Sequence, residues 1–243
     1  WIIAKREYNH YFISPIAYVV AFIMLFAIGI YFAAIINAYS QQAMFGGGTP
    51  DATLLNRLFV FLLVFTTPAI TMRSISDEAR TGTLELLLTA PLRDAELVIG
   101  KWLGALLFIL TILLVTLVYP LIMNSLVSPG IDQQLMMSSY LGVILTAAAL
   151  LALGVGVSAI FTNQIAAFFA TFGIFFILWF MMGLFGNLLQ GSGQVFQYLN
   201  ISAHFSDAFN SGSIKLSDLV YFVSLIALGL FAGTTAVEVR RWH

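Results

Sequence analysis

At 243 residues, 60% hydrophobic and 9% charged, with mean hydropathy +0.98, the chain is too apolar for a soluble domain, where about a quarter of residues carry charge. A net charge of −1 with no large basic patch argues against a nucleic-acid binder. Cysteine is absent, which excludes disulfides, thiolate chemistry and Cys-type zinc sites.

Residues 1–13 place Trp1, Ala4, Tyr8, Tyr11 and Phe12 on one helical stripe, while Lys5, Arg6, Asn9 and His10 avoid it. This pattern predicts an amphipathic helix lying in the membrane interface. No short apolar segment followed by a small-residue cleavage site opens the chain, so no cleaved signal peptide is expected. Six apolar runs follow, at 15–36, 54–72, 102–123, 140–161, 165–188 and 219–239. Each suits a membrane-spanning helix, which needs about 20 apolar residues. Residues 37–53, with Gly46-Gly47-Gly48, read as a flexible outer loop, and 124–139 as a short polar connection. Thr162, Asn163 and Gln164 form a tight turn between the fourth and fifth spans. The outer segment 189–218 carries Phe205 and Phe209 four residues apart, which suits a short helix resting in the interface, and one or two partly re-entrant or interfacial helices are expected there.

Lysine and arginine set the orientation. Lys5, Arg6, Arg73, Arg80, Arg93, Lys101, Arg240 and Arg241 fall on one side of the spans, Arg57 and Lys215 on the other. By the positive-inside rule, both termini and the 73–101 loop are cytoplasmic. That loop holds nine of the 21 charged residues, a concentration expected where a membrane protein meets a soluble partner. Within it, Gly82 breaks the extension of the second span and caps a short helix beginning at Thr83. Leu84, Leu87 and Leu88 share a face, Glu85 lies exposed in the first turn, and Pro91 ends the helix. Glu78 and Arg80 precede it. The plainer alternative is a solvated loop.

The chemistry of an autonomous pump is missing. No Gly-x-x-x-x-Gly-Lys-Ser/Thr pattern appears, and His10, His204 and His243 are too scattered for a metal site. Between Trp102 and Ser206 the only charged residue is Asp132, in an outer loop, whereas ion-coupled transporters need ionisable groups within the membrane. The energy for any transport is therefore expected from another chain. Phe65, Phe172 and Phe176, among aromatic- and Met-rich spans, are candidates to line an apolar pathway, although lipid-facing packing is the commoner use of such a stripe. Gly100 and Gly104 form a small-xxx-small pair, a pattern that lets helices pack closely.

The run DEARTGTLELLLTAPL at 77–92, followed by Gly100-Lys101-Trp102-Leu103-Gly104, resembles the permease subunits of ABC-2-type transporters, above all the gliding-motility-associated branch. Ser14-Pro15-Ile16-Ala17-Tyr18, Pro68-Ala69-Ile70-Thr71-Met72-Arg73 and the outer 204–221 segment extend the resemblance along the chain. It implies an all-α integral membrane protein with the type V exporter fold: six transmembrane helices, an N-terminal interfacial helix, a coupling helix between the second and third spans, and short outer helices between the fifth and sixth. It implies two ATP-binding subunits, which would carry ATP and Mg, docked on the coupling helices of this chain and of a second copy or a homologous permease. An accessory extracytoplasmic membrane protein is a further partner in such assemblies. The chain itself would be no enzyme, and would sit in a prokaryotic inner membrane. The alternative function is a non-transport anchor or assembly subunit that docks a soluble partner.

Overall fold

A computed structural model describes residues 1–43, 51–82, 93–127, 130–189 and 193–241. The described residues are almost wholly helical. Six of their helices are long and apolar enough to cross a membrane. In a hydrocarbon layer each backbone N–H and C=O needs an internal partner, and a continuous helix supplies one.

The chain begins with α1 (Ile2–Tyr11), then α2 (Pro15–Ala43) and α3 (Thr53–Thr71), which continues after a turn into α4 (Ser76–Thr81). The third span is split into α5 (Asp94–Thr116) and α6 (Val118–Leu126). Pro120 explains the break: it has no N–H for the carbonyl of Thr116, four residues back. That carbonyl accepts from Tyr140 Oη instead, at 3.3 Å. The fourth span is α7 (Gln133–Ile160). The fifth joins α8 (Gln164–Phe176), a π-helical turn (Ile177–Met181) and α9 (Met182–Leu188). Helix α10 (Gln194–Leu199) and short helical turns over Ile201–Ala203, His204–Ala208 and Phe209–Ser211 lead to the sixth span, α11 (Leu216–Arg241).

Several helices outrun the apolar limits read from sequence. Helix α2 continues through Ala43, into the stretch expected to be loop. Helix α7 starts at Gln133 rather than 140, because the Asp132 carboxylate caps it by accepting from the Leu135 N–H at 3.0 Å. Helices end at caps, whereas hydropathy marks only what suits the hydrocarbon.

Helix α7 is the central post. Its most apolar window is 78% buried, against 22% for the first and fifth spans and 28% for the sixth. Small residues make this position possible. The Gly156 and Gly229 backbones touch where α7 crosses α11, and Gly154 receives the Thr71 side chain; a β-carbon at any of the three would collide.

The outer segment corrects the interfacial placement of its aromatic pair. Phe205 and Phe209 do not rest in the interface. Both are fully buried, seated on Gly142 of α7 and, for Phe209, against Phe222 of α11. Polar bonds fix the segment from both sides. Asn56 Nδ2 donates to Ser139 Oγ at 2.9 Å, and Ser139 Oγ donates to Asn210 Oδ1 at 2.7 Å. His204 stacks on Tyr221, with Nδ1 2.6 Å from Asp218 Oδ1 and Nε2 2.6 Å from the Tyr198 carbonyl oxygen. The segment between the fifth and sixth spans thus forms part of the core.

Candidate functional site

The residues flanking the charged loop converge at the end of the bundle that also bears α1. Helix α4 is held there by its first backbone groups. The N–H groups of Ile75 and Ser76 donate to Ser158 Oγ of α7 at 3.1 and 3.2 Å, and the Ser76 hydroxyl donates to the Met72 carbonyl. Ile75 is fully buried in a small cluster with Leu97, Val98, Val155, Ala159 and Val237, which joins α4 to α5, α7 and α11. Asp77 Oδ1 accepts from Arg80 at 3.1 Å and from the Gln164 side-chain amide, tying α4 to the turn between the fourth and fifth spans. Gly82 ends α4 in the left-handed region, with φ +73°, where a β-carbon would be strained.

A buried lysine joins the parts. Lys101 Nζ donates to Glu78 Oε1 at 2.8 Å and to Glu7 Oε1 at 3.2 Å, and its side chain is 2% exposed. Arg6 pairs with Glu7 at 2.9 Å and approaches Glu78 at 3.8 Å. One ammonium thereby connects α1, α4 and α5. Burial pushes the Glu7 carboxyl up, but Lys101 and Arg6 outweigh burial and hold it below its ordinary value. Burial and the neighbouring Glu7 charge push the Tyr11 phenol up.

Gly100 and Gly104 make this contact possible. A β-carbon on Gly100 would lie 2.7 Å from Ile3 Cβ, and one on Gly104 would lie 2.6 Å from Glu7 Cβ. The close packing of this pair is therefore within the chain, against α1, and not a surface left open for a second subunit. Helix α1 also spends its apolar stripe on the third span rather than on lipid alone. Tyr8 Oη lies 3.0 Å from Thr111 Oγ1, and Tyr11 stacks on Phe108 with ring centroids 5.1 Å apart. Trp1 and Ile2 stay exposed.

Of the residues singled out in the loop, Glu78, Arg80 and Gly82 lie here; Thr83, Leu84, Glu85, Leu87, Leu88 and Pro91 lie outside the described residues. Glu78 differs from expectation, since it is engaged by Lys101 within the chain, while the Arg80 side chain is 64% exposed. On the re-entry side, the Arg93 N–H donates to Glu96 Oε2 at 3.3 Å, capping α5.

Phe65 and Phe172 meet at 5.6 Å between α3 and α8, and Phe172 reaches Phe176 at 6.3 Å. Phe61 and Phe180 continue the strip. Phe65 and Phe176 are each 41% exposed, so this aromatic face lies at the surface of the single chain. Among the described residues, no group of three His, Asp or Glu is placed to hold a metal.

Sequence reasoning missed Lys101 and Glu7. The only available signal was the position of Lys101 directly before the third apolar run, between Gly100 and Gly104. No curated protein matches the chain. The family model described as ABC-2 family transporter protein matches residues 11–237, which takes in the first five spans, the charged loop and most of the sixth span. The chain belongs to the ABC-2 family of transporter proteins.

Proposed function

We propose that this membrane permease works with two separate ATP-binding subunits and exports its substrate, around a pathway shared with a second copy of the chain or a homologous permease. Such subunits would bring ATP and Mg. The observation that carries this reading is the Lys101 clamp. It fastens α4, which leads into the charged loop, to the helix by which the chain returns to the membrane and to α1. A push on that loop would act on the first, third and fourth spans together rather than on a slack connection. Between Trp102 and Ser206 the only charged residue is Asp132, in an outer loop, and this supports an outside energy source.

The eight-to-two bias of lysine and arginine supports cytoplasmic termini and a cytoplasmic loop, as in a prokaryotic inner membrane. The run at 77–92 supports the gliding-motility-associated branch. Phe65, Phe172 and Phe176 are proposed to face the pathway, because their strip is exposed in the isolated chain. Mass measurement of the intact complex tests the assembly. Two permease chains with two ATPase subunits are expected, since two closing ATPases need two docks; one permease copy per complex would refute the proposal.

A further inference from the structure

Helix α1, the start of α2, the end of α3 and α4 enclose a cleft of about 720 Å³, open on one side. Ile13, Ile16, Ala17, Ala69 and Ile70 form an apolar wall, and the groups around the Lys101 clamp form a charged one. Ile16 and Ala17 begin the first span and Ile70 ends the second, which puts the cleft at the surface of the membrane. A recess with one greasy and one charged wall at that depth fits an amphiphile. Its volume lies within the roughly 300–1,000 Å³ of small-molecule sites, enough for a headgroup, a glycerol and the first part of the chains.

Charge narrows the choice. Three carboxylates face the cleft, and each already has a cation: Glu7 and Glu78 have Lys101 and Arg6, and Asp77 has Arg80. Arg73 also lines the cleft, is exposed, and forms no ion pair with any described residue. Because Asp77 is paired with Arg80 from outside the lining, the guanidinium of Arg73 is left with no carboxylate partner among the described residues. His10 and Ser14 lie along the same lining. A guanidinium fork suits a phosphodiester, whose two free oxygens it meets bidentately.

We propose that this cleft binds one singly anionic phospholipid of the adjoining leaflet, with its phosphodiester on Arg73 and its chains against Ile16 and Ile70. The lipid would touch α1 and α4 together. The site does not depend on which soluble partner docks on the loop, nor on the direction of transport.

The test uses the full chain in nanodiscs of equal phosphatidylcholine and phosphatidylglycerol, released for native mass spectrometry. One phosphatidylglycerol per chain should be retained, preferred by about fivefold, the scale of one basic residue's attraction to anionic lipid. Arg73→Gln should bring the preference near unity, and Arg73→Glu should reverse it. Both variants change an exposed side chain and should melt as the parent does. An unchanged preference in both would overturn the site. Inorganic phosphate at millimolar concentration should not displace the lipid; displacement would mean a simple anion site and would overturn the lipid assignment.

Discussion

Lys101 and Glu78 are 23 residues apart in the chain, yet the ammonium of one lies 2.8 Å from the carboxylate of the other, with the lysine almost wholly buried. Removing one partner of a buried pair strands the other charge, which costs about 3–5 kcal/mol. Lys101→Met should therefore lower the melting temperature in detergent clearly, leaving Glu7 and Glu78 facing each other. Lys101→Met combined with Glu78→Gln should recover part of the loss. If the double variant melts below the single one, the pair is not the source of the stability.

The clamp should also be sensitive to acid, through Glu7. Its carboxyl is held below the ordinary 4.5, so it stabilises the fold wherever it is ionised in both folded and unfolded states. That contribution is complete above about pH 5 and declines as the pH falls through the depressed value. The gap in melting temperature between the parent chain and Glu7→Gln should be constant from neutral pH down to that point and narrow below it. A gap that widens on acidification would reverse the assigned direction.

Much of this architecture is legible in the sequence. Six apolar runs, the turn at Asn163 and the charge bias need only local composition. The burial of Lys101 is not legible, because Glu7 lies 94 residues away and nothing local pairs them. Phe205 and Phe209 mislead for a similar reason. Four-residue spacing describes a helix face equally well on lipid or on Gly142, and only the packed fold shows which. At Gly100 and Gly104 a β-carbon would meet α1, and nothing in their four-residue spacing names that helix.

Because α1 fills the Gly104 face, Gly104→Leu should detach the N-terminal helix before it affects anything else. The added side chain would start 2.6 Å from Glu7 Cβ and 3.1 Å from the Ala4 carbonyl oxygen. Hydrogen exchange over 2–11 should rise sharply, and Lys101 should lose its bond to Glu7. Full protection of α1 in this variant would contradict the packing.

Orientation calls for exposed reporters, and Ser76 is not one, being fully buried beneath Ser158. Arg80 is exposed on the side of the charged loop and Ser217 on the opposite side. Cysteines placed at these two positions should react with an impermeant reagent from opposite faces of sealed vesicles. Reaction of both from one face would sink the six-span topology.

Docking of an ATPase should depend on the apolar face expected at 84–88 more than on the charges beside it. Glu78 is held by Lys101, so replacing it would disturb the fold as well as any partner; Arg80, exposed, reports more cleanly on contact. Exposed ion pairs are worth about 0–1 kcal/mol each, whereas burying one leucine contributes roughly 1.5–3 kcal/mol. Leu87→Asp should therefore release or uncouple the ATPase while the chain remains folded in the membrane, and Glu85→Ala should cause a milder loss of coupled hydrolysis. Helix α4 should stay in place in both variants, because Ser158, Gln164 and Lys101 hold it from inside the chain. The contact itself can be mapped by photocrosslinkers placed singly along 78–90, along α1 and near the C-terminus. Crosslinks to the ATPase should concentrate at 78–90. Crosslinks confined to α1 or the C-terminal tail would move the dock elsewhere and leave the Lys101 clamp a purely structural brace.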